Sequence, residues 1–260
     1  MAWLARHPRL GTGLSFAAYL SPFVAAIVVY EALRGLFRYR GEVHVGDLFA
    51  LEARLFPVAT ADGPRALSEV IASHTSPWLD VLSSATYFLF VFEAVGVAAY
   101  LFFRARPRML ELSIGFFVVN LLGWVVWFVY PAAPPWYVDQ YGAGPAILDV
   151  VSSPAGLARM DAWLGLPVAT SFYSKSANVF GALPSLHVAY ATLVAWVVWP
   201  LGGWLRTGTL AFALSMGFSA VYLRHHYLLD VLAGGLLALL VAPVVQAALR
   251  RNSVNLGDPT

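Results

Sequence analysis

The chain has 260 residues, 60% of them hydrophobic and 12% charged, with a formal net charge of +2. A soluble domain is nearer ~45–50% apolar and ~25% charged, so the composition excludes an ordinary water-soluble enzyme, and nothing in so small a net charge argues for a nucleic-acid partner. The absence of cysteine excludes disulfide frameworks and thiolate chemistry.

In chain order, apolar runs predict six membrane-spanning helices at about 14–33, 79–103, 110–130, 186–201, 208–223 and 227–249. Each approaches the ~20 residues needed to cross a bilayer, and a segment in lipid satisfies its own backbone hydrogen bonds only as a helix. The expected fold is all-α, a polytopic membrane bundle forming one integral domain over residues 1–260. The first run follows Arg6 and Arg9 but is long, lacks a small-x-small cleavage pattern and precedes further spans. It reads as a retained helix and not as a signal peptide. Between the first two spans, Gly35 to Pro77 places Leu48, Leu51, Leu55 and Phe56 at helical spacing among charges. That pattern fits an amphipathic helix at the interface or on the bundle, with a plain loop as the alternative. The fourth span is short and ends at Pro200 and Gly202-Gly203.

A second long connection, Pro131 to Ser185, opens with PAAPPWY, and connections of that length are often functional. Its Trp136, Tyr137 and Tyr173 form either a lipid-facing rim or part of an aromatic belt. Glu93, inside the second span, is expected to be protonated or paired in a packing role, and Asn120 to hydrogen-bond between helices. With six spans, the RARPR connection at 104–108, Arg250-Arg251, Arg6 and Arg9 fall on one face, which the positive-inside rule makes cytoplasmic. Arg34, Arg38 and Arg40 fall on the other, in a long segment with Glu31, Glu42 and Asp47, where the rule is weaker. Both termini are then cytoplasmic.

The same parity brings His187, opening the fourth span, and His226, opening the sixth, to the extracytoplasmic face. In LPSLH, Ser185 is a natural N-cap that puts His187 in a first turn of unpaired N–H groups, where an anion is welcome. In HHYLLD, His226 and Asp230 stand four apart, so on a helix the carboxylate can hold one ring nitrogen and leave the other as nucleophile or base. Each histidine alone is as easily a structural group at a helix end. Two on one face, one backed by an acid, point to chemistry. No third His, Glu or Cys stands at ligand spacing, so neither a metal nor another cofactor is expected.

PSLH followed by HHYLLDVLAG resembles the second and third motifs of the type 2 phosphatidic acid phosphatase superfamily, P-S-G-H and S-R-x5-H-x3-D, over roughly residues 45 to 250. FGALPSLH, YPAAPPWY and the double histidine are similar to the branch containing fungal inositol phosphorylceramide synthases. The resemblance implies His226 as the nucleophile that forms a phosphohistidine, Asp230 as its orienting acid, and His187 as general acid, with no metal required. The third-motif arginine falls at Ala220, however, and Leu186 replaces the usual glycine. The first motif, K-x6-R-P, survives only as Arg106-Pro107, with Ala99 in place of lysine and on the wrong face. Phosphate oxygens need cationic or N–H donors. The candidates are Lys175 (the sole lysine), Arg224, His225, Arg159 and the amides following Ser185.

The resemblance implies transfer of a phosphoinositol-type head group from a phospholipid to a lipid hydroxyl. A lipid phosphate phosphatase using water is the first alternative, and a non-enzymatic transporter or scaffold the second.

Overall fold

The computed structural model describes residues 8–176 and 178–255. Arg6 lies outside them. Helix α1 (Pro8–Leu33) runs into a 3-10 turn (Arg34–Tyr39), followed by α2 (Asp47–Leu55), the strands β1 (Pro57–Thr60) and β2 (Gly63–Ala66), and α3 (Leu67–Ser73). Two long helices follow, α4 (Pro77–Arg104) and α5 (Arg106–Val129). The next connection carries α6 (Pro135–Tyr141), α7 (Ala158–Leu164) and α8 (Val168–Tyr173). The chain then forms α9 (Leu186–Val198), α10 (Gly203–Tyr222) and α11 (Leu228–Asn255).

Among the described residues, four stretches are long and apolar enough to cross a membrane: Gly13–Tyr39, Pro77–Arg104, Arg106–Val129 and Leu228–Arg251. Leu186–Leu201 is a shorter apolar helix. The chain is thus a polytopic helical membrane protein. Helix α10 is long enough, but Thr207, Gly208, Thr209, Ser215, Gly217 and Ser219 keep it out of that set. One of them makes a helix contact: the Thr86 and Ser215 hydroxyls, 3.1 Å apart, link α4 to α10. Thirteen residues of α9 rise only about 20 Å, short of a ~30 Å hydrocarbon core. This helix is the bundle's centre, packed by α4, α5, α10 and α11, with Ala189, Leu193, Val194 and Val198 all buried. The outer helices turn Ile27, Phe92, Phe103, Leu214 and Leu240 outward, as a surface wetted by lipid does.

The expected interhelical role of Asn120 is met: Tyr190 Oη donates to its Oδ1 at 2.7 Å, joining α9 to α5. Glu93 is half-buried on α4, and its two shielded carboxylate oxygens have no partner among the described residues, so a pairing role is not met. Other expectations change. The fold is not strictly α-helical, because residues 57–66 form an antiparallel hairpin with Thr60 opposite Gly63. The cause is turn chemistry: Ala61-Asp62 form the two-residue loop, and Gly63, which opens β2 at φ +109°, takes a backbone conformation that glycine adopts without strain. Helix α2 buries Leu48 and Glu52 while Leu51 and Leu55 are 44% and 56% exposed, so its inner face is one position away from the apolar stripe. Trp136 and Tyr137 are buried, and therefore form neither rim nor belt.

Two contacts fix where α11 begins. Glu52 is fully buried and accepts from Leu228 N at 2.7 Å and Ser68 N at 3.1 Å, so one carboxylate caps α11 and the start of α3. Helix N-termini leave such N–H groups unpaired and favour negative charge. Nearly two turns into α11, Gly234 lies against Ser185: a Cβ there would stand 2.1 Å from the Ser185 carbonyl oxygen. Ser185 N in turn donates to Asp230 O at 3.0 Å.

Glu52→Ala orphans two N–H groups and is expected to cost about 2–4 kcal/mol, read as a lower unfolding midpoint in detergent. Gly234→Ala forces α11 away from the start of α9 and is expected to cost about 1–3 kcal/mol or more. The same melt checks it, and wild-type stability would count against the contact.

Candidate active site

The turn between α10 and α11 carries the central side chains. Ala220 O accepts from both His225 N and His226 N at 3.1 Å, folding the chain back on the end of α10. Arg224 takes the left-handed conformation, φ +62°, which a non-glycine residue adopts only when held there. It is held twice: its carbonyl accepts from Trp136 N at 3.0 Å, and its guanidinium makes a bidentate pair with Asp139 of α6. Gly156 N donates to Leu223 O at 2.9 Å from the other side, and a Cβ on Gly156 would stand 2.8 Å from the Leu223 Cα.

His226 therefore lies in a turn two residues before α11 starts, and the helical geometry expected for His226 and Asp230 does not apply. Its Nδ1 is 2.9 Å from the Ala182 carbonyl oxygen and 3.6 Å from Asp230 Oδ2. A carbonyl only accepts, so Nδ1 carries the proton and Nε2 bears the lone pair. Asp230 is fully buried and accepts from Tyr227 N at 2.8 Å, while its Oδ1 has no partner among the described residues. Ala182 is fixed by backbone: Ala182 N donates to Ala132 O at 3.2 Å and Ala132 N to Phe180 O at 3.0 Å. His44 N donates to Pro131 O at 2.9 Å on the far side. The YPAAPPWY segment is thus a brace for the carbonyl that holds His226.

His187 sits in the first turn of α9 with Ser185 as N-cap, as expected; the Ser185 hydroxyl accepts from Val188 N at 3.5 Å. Leu186 takes the space left by Gly123 of α5, where a Cβ would stand 2.6 Å from its Cδ2. The His187 and His226 ring centroids are 5.8 Å apart. Tyr87 of α4 stacks on His187 at 4.4 Å, its hydroxyl 3.2 Å from His187 Nδ1. Tyr87 also stacks on His225 at 4.8 Å, and Tyr173 covers the other face of His225 at 4.7 Å. Burial first, and His226 second, push the His225 imidazole down to about 3, while a hydrogen bond to the Pro154 carbonyl opposes them. His225 is neutral throughout the physiological range.

The cationic candidates lie differently. Arg159 Nε donates to Asp80 Oδ1 at 2.7 Å and its guanidinium lies 5.1 Å over the Tyr222 ring. Tyr222 Oη donates to the same Asp80 oxygen at 2.8 Å. Arg159 Nη2 and Arg224 Nη1 are buried without partners among the described residues. Lys175 is exposed, and its carbonyl accepts from Arg34 Nη2 at 3.0 Å. Arg106 begins α5, whose 24 residues rise about 36 Å before the bracing segment, so it stands at the opposite end of the bundle. A cleft of about 920 Å³ adjoins the same end as the histidines, lined by Arg34, Arg38, Arg40, Glu42, Asp47 and Asp149 among others. Among the described residues no group of His, Cys, Asp or Glu is arranged to hold a metal.

Tyr87, Glu52, Asp139 and the Ala182 carbonyl escape the sequence reading. Tyr87 looks like any span aromatic, and a backbone carbonyl has no signature. Glu52 alone leaves a trace, four residues after Leu48 on the inner face of α2.

Residues 47–244 match the PAP2 superfamily. A phosphoinositol dihydroceramide synthase of Bacteroides thetaiotaomicron is 35% identical over 230 residues, 86% of this chain and 74% of that protein. The inositol phosphorylceramide synthase catalytic subunit of Saccharomyces cerevisiae is 39% identical over 179 residues, 67% of this chain but 44% of the yeast protein. The corresponding Schizosaccharomyces pombe subunit is 35% identical over 176 residues, again 67% of this chain and 42% of that protein. The chain thus spans about three quarters of the bacterial relative and less than half of the yeast ones. No solved structure matches. The motif pair around His187 and His226, set at one end of a helical bundle, accords with the match over most of the chain: it belongs to the PAP2 superfamily and is related to the inositol phosphorylceramide synthases.

Proposed function

We propose that the protein moves a phosphoinositol-type head group from a phospholipid to a lipid hydroxyl through a phosphohistidine at His226. Kinship with the catalytic subunits makes it a lipid phosphotransferase, which removes the transporter or scaffold alternative. One observation carries the mechanism: His226 and His187 are held 5.8 Å apart by partners of opposite character, a carbonyl on one and a phenol on the other.

The Ala182 carbonyl keeps the His226 proton on Nδ1, so Nε2 attacks phosphorus. With the Tyr87 hydroxyl as the donor across its 3.2 Å contact with His187 Nδ1, the His187 proton lies on Nε2, where it can pass to a leaving alkoxide. As the Nε2–P bond forms, the P–O bond to the diacylglycerol breaks, and that alkoxide takes the His187 Nε2 proton, leaving an imidazolate that the Tyr87 hydroxyl stabilises at Nδ1. His226 becomes a cationic phosphoimidazole, balanced by the Ala182 carbonyl and by Asp230 at 3.6 Å. In the second half, His187 takes the acceptor's proton, the new P–O bond forms, the P–N bond breaks, and both histidines return to their starting state.

Electrostatics favours a phosphodiester, with one negative charge, over a phosphomonoester with up to two. Arg224 and Arg159 are already paired with Asp139 and Asp80, so each has one unpartnered nitrogen and little uncompensated charge to offer. The amides that open α9 and exposed Lys175 complete the donors proposed around the phosphate. With six helices crossing the bilayer, α10 and the short α9 among them, the termini are cytoplasmic and the site extracytoplasmic.

The reading is tested with head-group-labelled phosphatidylinositol and a ceramide acceptor: label is expected to move to the acceptor. Label released to water at the same rate without acceptor would establish the phosphatase alternative instead. His226→Ala is expected to lower turnover by at least 1,000-fold and abolish the acid-labile labelled enzyme, whereas Asp230→Ala retains a measurable residue of both, on the order of 1–10%. Added EDTA is expected to leave the rate unchanged; a loss reversed by a divalent cation would contradict the mechanism.

A further inference from the structure

His225 is the buried titratable group that this mechanism leaves unused. It is 6% exposed, enclosed between the Tyr87 and Tyr173 rings, and next in the chain to the nucleophile. Its Nε2 is buried with no partner among the described residues. The hydrogen bond to the Pro154 carbonyl therefore belongs to Nδ1. Because a carbonyl only accepts, Nδ1 carries the single proton of the neutral ring and Nε2 presents a bare lone pair. Such a lone pair repels a phosphate oxygen, which replaces the phosphate-ligand role expected from the sequence. Its complement is an O–H group, and a buried acceptor with no partner discriminates strongly against a ligand that lacks one.

We propose that His225 Nε2 accepts a hydrogen bond from a substrate hydroxyl and so selects hydroxyl-bearing substrates. The assignment rests on the transfer reading above, in which two molecules bring hydroxyls to phosphorus: the polyol head group of the donor and the alcohol of the acceptor lipid. The rings on either side explain how the geometry is kept. Stacking by Tyr87 and Tyr173 leaves the imidazole no freedom to turn, and the Pro154 bond fixes which nitrogen is free.

Amides separate the two nitrogens. His225→Asn can keep an N–H toward Pro154 but has no acceptor at the Nε2 position; His225→Gln can place its carbonyl oxygen there. Initial rates with phosphatidylinositol and a short-chain ceramide give a KM for each. In H225N one KM is expected to rise at least tenfold with kcat within threefold of wild type, and H225Q is expected to recover most of that rise. A rise for the ceramide assigns the acceptor alcohol, a rise for phosphatidylinositol the head group, and either supports the proposal. Wild-type KM values for both substrates in H225N would overturn it, as would an equal loss of kcat in both variants without a change in KM. Should H225N fail to fold, His225→Phe, which keeps the stacked ring, is expected to show the same KM rise, and wild-type KM values there would overturn the proposal equally. No transfer by the wild-type protein overturns the transfer reading and this assignment together, whereas wild-type transfer with unshifted KM overturns the assignment alone.

Discussion

The hydrogen bond from His226 Nδ1 to the Ala182 carbonyl joins the two halves of the site, and it is only as well defined as the carbonyl that receives it. Ala182 belongs to no helix; its position comes from Ala132, whose own segment is paired with His44. Three stretches far apart in sequence therefore cooperate to orient one imidazole. Backbone bridges suit this task because they do not depend on rotamers, and the free energy lost by leaving any of these groups unpaired in a buried setting keeps them in register.

Around that bond, the protein trades charge for geometry. Most superfamily sites are expected to present an arginine where this chain has Ala220, and here the carbonyl of that same residue receives the N–H groups of both turn histidines. Two of the remaining cations are neutralised by carboxylates on neighbouring elements, Arg224 by Asp139 and Arg159 by Asp80. Those pairs also carry structural duty: one holds a left-handed residue, the other joins α7 to α4 under Tyr222.

Much of this was legible in the sequence because it depends on local rules. Long apolar runs gave the helices, Ser185 announced a cap, and counting spans brought His187 and His226 to one end. What failed was what depends on partners distant along the chain. The pairing of His226 with Asp230 is present at 3.6 Å, but His226 precedes the helix, and its nearer partner is the Ala182 carbonyl, which no local periodicity indicates. Leu51 and Leu55 looked like the inner face of α2 because apolarity implies burial in water; beside a bilayer they are free to face outward, and Glu52 turns inward to cap α11. Tyr87 could not be singled out, since its importance comes from two imidazoles contributed by helices and turns a hundred or more residues away. Leu186 departs from the family motif, and only the packing reveals that Gly123 makes room for it.

The close approach of Gly234 to Ser185 also determines how the site can open. With backbone touching backbone, α9 and α11 cannot slide past each other, so His187, His226 and Asp230 ride on one rigid block. A lipid entering among imidazoles this well buried needs some wall to yield. The yielding side is then the one built from side chains, where Tyr173 of the short helix α8 and Tyr87 of α4 stack on His225. Access becomes a matter of two rings parting, while the reacting geometry behind them stays in place.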